Sequence, residues 1–153
     1  MSHPSSRWWF AAAALVLCSA CAHIKRAADL ESLKAAADTF HERIRWRDFR
    51  GASELIAPER RAAFQAARDS QRDERDLSIT DYQLEDARLS ADGSTALVIS
   101  RMSWMRLPSL SETTQLVTSE FVLRDGSWLL ARQSGGPFAE LDAAASDERK
   151  ALR

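Results

Sequence analysis

The hydrophobic period of this chain changes near Leu77, and that change most narrows the folds open to it. Before it, apolar residues recur at steps of three and four. Leu30, Leu33, Ala37, Phe40 and Ile44 form one stripe of an amphipathic helix, with Asp38, Glu42 and Arg45 on the other side. After it, stretches rich in Val, Ile, Thr, Phe and Trp are separated by Asp-Gly pairs. Helices first and antiparallel strands afterwards describe an α+β chain.

The finer reading follows from local signals. Asp29 is placed to cap the first helix, which should end between Trp46 and Asp48. Phe49–Ile56 reads as a short second helix, weakened by Gly51. Pro58 suits the first turn of a third helix, with Glu59 at the favourable end of its dipole. Ala62, Ala63, Phe64, Ala66 and Ala67 supply that helix's apolar side. The mixed charge run from Arg68 to Asp76 reads as a fraying helix end or a solvated loop, with a partner-docking segment as the rarer alternative.

Strands are expected over Ile79–Leu89, Thr95–Met105, Glu112–Leu123 and Trp128–Arg132, with turns at Asp92-Gly93 and Asp125-Gly126. With Asp125 and Gly126 as the loop, Arg124 faces Ser127, Leu123 pairs with Trp128 and Phe121 with Leu130. Those four large side chains and Val117 then share the face that the first helix covers. Glu120 and Arg124 point away, and Arg101 is positioned to pair with Glu120. Gly135-Gly136-Pro137 should end the domain, leaving Ala139–Arg153 as a polar, dispensable tail.

The first residues carry an address. Met1–Arg7 hold one Arg and no acid, Trp8–Leu17 are uninterrupted apolar residues, and Leu17-Cys18-Ser19-Ala20-Cys21 follows. This is the grammar of an export signal. The last of these residues resemble a bacterial lipobox, although Cys18 stands where that motif usually has Leu. The resemblance implies cleavage after Ala20 and lipid, palmitate among the acyl chains, on Cys21. With Ala22 rather than Asp next, it implies sorting to the periplasmic face of the cell outer membrane. A signal cleaved without lipidation is one alternative. An uncleaved anchor is another, but Trp8–Ala22 gives about 15 residues where roughly 20 are needed. The expected organisation is a signal peptide over 1–20, a lipidated tether over 21–28, the α+β domain over 29–138 and the tail over 139–153.

Cleavage would leave about 130 residues, enough for one core. The chain's two cysteines are Cys18 and Cys21, so a lipidated product has no disulfide and no cysteine metal site. Charge is nearly balanced, 21 basic against 22 acidic residues, which argues against a nucleic-acid partner.

A long amphipathic helix, two short helices and long antiparallel strands resemble the nuclear transport factor 2-like superfamily, a cone-like α+β roll. The resemblance rests on Ala36–Arg50 (AADTFHERIRWRDFR), Ala52–Ile56 and Phe121–Leu130 (FVLRDGSWLL). Many members have one more strand, which a bulge splitting Ile79–Leu89 could supply. The resemblance implies a pocket between the helices and the concave sheet face. Members include isomerases, cyclases and non-catalytic binding domains, so fold alone does not choose a function.

The chemistry-bearing residues are sparse. His23 lies in the tether. His41 stands at the edge of the apolar stripe, where it reads as a partly exposed helix residue or as a base at a pocket mouth. Tyr82 is the one tyrosine; alternation places it opposite Asp81, and surface decoration competes with proton transfer. His41 and Tyr82 are thus the weak catalytic candidates. Asp38 and Asp48 read as ion-paired surface and cap residues. Met102, Trp104 and Met105 are core or, with Trp128, the wall of a hydrophobic ligand pocket. No metal-ligand spacing, P-loop, GxGxxG or GxSxG occurs, and no cofactor is expected. The expectation is an envelope lipoprotein held to the membrane through Cys21. Its small non-catalytic domain would bind an envelope protein or a small hydrophobic molecule. The alternative is an isomerase- or cyclase-type pocket enzyme.

Overall fold

The computed structural model describes residues 7–142, with side chains from Lys25 onward. Expectations for residues 1–6, for the side chain of Cys21 and for residues 143–153 lie outside the described residues. The elements are α1 (Arg7–Arg45), α2 (Phe49–Glu54), α3 (Pro58–Gln71), α4 (Asp73–Asp76), β1 (Leu77–Leu89), β2 (Thr95–Arg106), β3 (Thr113–Arg124), β4 (Ser127–Ser134) and a short 3-10 turn, Ala139–Leu141. The chain is α+β: helices pack on one face of a curved antiparallel sheet in the order β1-β2-β3-β4. Among the described residues no helix is long and apolar enough to cross a membrane.

The apolar stripe of α1 lies on the sheet. Leu33, Ala37, Phe40 and Ile44 are buried, and Leu30 packs against the same core. The helix does not start at Asp29. It runs unbroken through residues 21–28, so the segment expected to be a tether is helical and Asp29 caps nothing. Its C-terminal end matches expectation: Arg47 leaves the helical region with φ 61°, and Asp48 caps α2 by accepting from the Gly51 amide at 2.9 Å. The helix α2 forms with Gly51 inside it. A β-carbon there would meet the Asp48 carboxylate and the Arg43 guanidinium, which pair at 2.9 Å, and would push this exposed pair aside.

The strands follow the alternation. Arg124↔Ser127, Leu123↔Trp128 and Phe121↔Leu130 pair as expected. Asp125 and Gly126, with φ of 51° and 78°, give the turn that an Asp-Gly pair favours. Strand β1 carries register shifts between Ile79 and Asp81 and between Leu84 and Asp86. Each shift bends the strand and resets which side chains face α1. The outer edge of β4 is covered by the α2–α3 link, where Ala57 donates to the Leu130 carbonyl at 2.9 Å and Leu130 donates to that of Leu55 at 2.8 Å.

Four further expectations are corrected. Arg101 does not pair with Glu120: the register sets Arg101 opposite Leu116 and Glu120 opposite Leu97, so Arg101 pairs with Glu85 at 2.9 Å and Glu120 with Arg132 at 2.8 Å. The alanines of α3 are not its buried side. Phe64 and Arg68, one turn apart, fill that role, while Ala62, Ala63 and Ala66 face solvent. The charge run is not simply solvated either. Arg68 is buried between the rings of Phe64 and Phe138, 4.8 Å and 4.6 Å from their centroids. Its guanidinium lies 2.8 Å from Asp73 and 2.9 Å from Glu140, and Arg106 also contacts Asp73.

The fourth correction concerns the end of the domain. Gly135-Gly136-Pro137 turns the chain back instead of releasing it. Phe138 and Leu141 are wholly buried, so residues 139–142 belong to the packed body and not to a dispensable tail. Phe138→Ala should therefore cost about 3–5 kcal/mol, the usual loss for a buried aromatic. Glu140→Gln should cost a comparable amount, about 3–5 kcal/mol, because it leaves Arg68 short of a carboxylate in a buried pair. Urea unfolding checks both; unchanged midpoints would mean that this segment carries no load.

Candidate functional site

The site is built where α1 crosses the bent strand β1. Burying Phe40 fixes the roll of the helix, and His41 is carried inward with it. The ring of His41 is only 2% exposed and stacks on Tyr82, with centroids 3.5 Å apart and planes at 15°. His41 is thus not the partly exposed residue that its place at the edge of the apolar stripe suggested. The shift between Ile79 and Asp81 turns Tyr82 toward α1, opposite Met102, while Asp81 stays exposed. The two weak candidates from opposite halves of the chain meet here.

A cleft of about 300 Å³ opens at this contact, lined by Asp38, His41, Glu42, Arg45, Trp46 and Tyr82. Trp46, 76% exposed, stands at its rim. Asp38, His41 and Glu42 share one helix face by their spacing of three and four. His41 Nδ1 lies 2.6 Å from the Ala37 carbonyl. A carbonyl can only accept, so Nδ1 carries the hydrogen and the neutral ring presents a bare Nε2. That Nε2 is buried and has no hydrogen-bond partner, and neither does the buried hydroxyl of Tyr82.

Electrostatics follow from burial. Loss of water lowers the His41 pKa to about 4, against a smaller opposing pull from the Ala37 carbonyl. The imidazole is therefore neutral at neutral pH. Burial also raises the Tyr82 pKa, and the nearby Asp38 charge adds to the rise, so the phenol keeps its proton. A base this weak and an acid this weak are both poorly matched to proton transfer near pH 7.

The other site candidates fall elsewhere. Met102 and Trp104 lie on the inner face, Met102 wholly buried opposite Tyr82, whereas Met105 alternates to the outer face. The three do not form one wall. Trp128 packs further along the sheet, donating from Nε1 to Ser32 Oγ at 3.1 Å. Asp48 is the cap and ion-pair partner that its neighbours suggested. Sequence reasoning missed Trp46 and Glu42 as cleft residues. The i, i+4 relation of Asp38 to Glu42 was a usable signal, but the face it marks becomes a site only once β1 lies beside it. Among the described residues no group of three His, Cys, Asp or Glu side chains could hold a metal ion.

No family model matches this chain, and no curated protein does. Solved structures resemble it in fold. A SEC-C motif containing protein from Rhodopseudomonas palustris shares 17% identity over 67% of this chain and 77% of its own, at a TM-score of 0.54. The intermembrane space region of chloroplast protein ARC6 shares 12% identity over 69% of this chain and 94% of its own, at 0.48. A structure described as a SnoaL-like polyketide cyclase from Mesorhizobium loti shares 13% over 62% of this chain and 92% of its own, at 0.42. The first of these likenesses extends to the fold alone.

Burial of His41 sets a pH dependence. Its folded pKa, about 4, lies below the ordinary value of 6.5. The unfolded chain therefore binds the proton first as pH falls. The His41 contribution is fully present above 6.5 and is lost between there and 4, in total about 3 kcal/mol. Urea unfolding at pH 7 and pH 4.5 should show this loss, and His41→Gln should show less of it. Equal losses in both proteins would place His41 in water.

Proposed function

We propose that this chain is an envelope lipoprotein, anchored through Cys21, whose α+β domain of nuclear transport factor 2-like type binds a small molecule in the α1–β1 cleft without transforming it. One observation carries the binding reading. Two polar atoms, His41 Nε2 and Tyr82 Oη, are buried without partners, and both residues line the cleft. Buried polar groups are almost always paired, and leaving one unpaired costs about 1–3 kcal/mol. A ligand that bonds to them recovers that cost, and a cleft of about 300 Å³ falls at the lower end of the volumes small ligands occupy.

Binding without chemistry is supported by the same burial. An isomerase or cyclase on this fold would need a base or acid poised near the working pH. His41 at about 4 is a weak base, and Tyr82 is pushed away from acid function.

The anchor reading is supported by the export-signal pattern and by Ala20-Cys21-Ala22. Two or more acyl chains on Cys21 would hold the protein stably at a membrane, where a single chain gives only marginal binding. The unbroken helix through residues 21–28 would keep the domain within about 15 Å of the lipid, at 1.5 Å per residue.

Two measurements test this function. Cys21→Ser should abolish acyl labelling and stop processing; labelling that persists, or moves to Cys18, contradicts the anchor. Mass spectrometry of the full chain purified in detergent should find a low-mass compound retained by the wild type and lost from Tyr82→Ala. Retention by the variant, or turnover of the compound by the wild type, contradicts binding without chemistry.

A further inference from the structure

We propose that the cleft takes a small organic ammonium ion, a compound carrying a protonated primary or secondary amine. The inference rests on reading the cleft as a ligand site and names the chemistry of its ligand. Among the lining groups Asp38, Glu42 and His41 Nε2 can only accept, Arg45 and Trp46 can only donate, and Tyr82 can do either. His41 offers a bare Nε2, because Nδ1–H is committed to the Ala37 carbonyl. Tyr82 Oη has no partner and can accept from a ligand as well as donate its own hydrogen. Asp38 and Glu42 add two carboxylates one turn apart on the same helix. Arg45 alone brings a cation, so two carboxylates face one guanidinium in the lining.

A ligand that satisfies Asp38, Glu42 and His41 Nε2 together must bring donors and positive charge. A protonated amine brings two or three N–H groups directed outward from one nitrogen, enough to reach a carboxylate and a buried acceptor together. Such charge-assisted bonds are stronger than neutral ones. A carboxylate or phosphate could take bonds from Arg45, Tyr82 and Trp46 but would face the two charges of Asp38 and Glu42. A purely apolar molecule would fill space and leave Nε2 and Oη unpaired, the costlier outcome. The indole of Trp46, exposed at the rim, offers an aromatic face to the cation or to its methylene body.

A metal ion is the other donor-free cation to weigh. His41, Asp38 and Glu42 are not close enough together to form a metal-holding group. Metal–ligand bonds need atoms within about 2.0–2.6 Å of one centre. An organic cation reaches separated acceptors through separate N–H bonds, which suits this spread arrangement.

Propylamine, propionate and propanamide are matched in size and differ in charge and in their donors and acceptors, so they make the test. Each is titrated into the full chain in detergent, with the imidazole ¹⁵N resonances of His41 and calorimetry as readouts. Propylamine should saturate and move the His41 Nε2 signal, while propionate and propanamide should not. Asp38→Asn and Glu42→Gln, both on exposed helix positions, should each weaken propylamine binding by about tenfold, the scale of losing a charge-assisted bond. Binding of propionate, or propylamine binding indifferent to both substitutions, overturns the proposal. So does a zinc or magnesium ion that shifts the same resonances with higher affinity. If propanamide moves the His41 signal and propylamine does not, the ligand class is wrong while the cleft remains a site. If none of the three moves it, and no compound co-purifies with the wild type, the ligand-site reading falls as well.

Discussion

Phe40 is the contact on which the rest of this molecule turns. It is wholly buried where α1, α3 and the C-terminal turn converge, 6.5 Å from Phe64 and 6.4 Å from Phe138 between ring centroids. A helix whose Phe40 is held this way has one roll about its axis. That roll decides that Leu33, Ala37 and Ile44 meet the sheet, and that the next residue, His41, is pressed onto β1. The fold and the candidate site are therefore one packing decision. Moving Phe40 out would lift His41 off Tyr82 as surely as it would open the core.

The second constraint is electrostatic. Arg68 sits in the same aromatic cluster, with Asp73 and Glu140 beside its guanidinium and Arg106 sharing Asp73. Buried pairs of this kind add little net stability against an apolar alternative, but they are costly to break on one side. Their effect is to fix which segments meet: α3, the start of α4, the end of β2 and the C-terminal turn must all be in place together. The helical end of the domain is thus locked by charge, while the sheet is held by apolar side chains.

Much of the fold was legible because periodicity reports burial directly. The stripe from Leu33 to Ile44, Pro58 at the start of α3, and the register around Asp125-Gly126 all follow from local rules that tertiary packing did not override. The failures share a cause. Arg68, Glu140 and His41 are polar residues whose burial depends on partners distant in sequence, and a charge run or a histidine at the edge of an apolar stripe looks exposed until those partners are known. Met105 failed differently: three bulky residues close in sequence suggested one wall, but strand alternation splits them between faces. The pairing of His41 with Tyr82 was out of reach for a further reason. It depends on the register shift between Ile79 and Asp81, and no Gly or Pro marks that bend.

The account centres on one atom, His41 Nε2, as a bare acceptor in a dry wall. Its neighbour Nδ1 is bound to the Ala37 carbonyl at 2.6 Å, and burial holds the ring neutral. Long-range ¹H–¹⁵N correlation of the imidazole across a pH titration measures this directly. The account predicts an Nδ1-protonated neutral ring at pH 7, titrating only as pH approaches about 4. An Nε2-protonated ring at neutral pH, or titration near the ordinary 6.5, would mean that His41 is not a bare buried acceptor, and the cleft would lose the group on which its ligand chemistry depends.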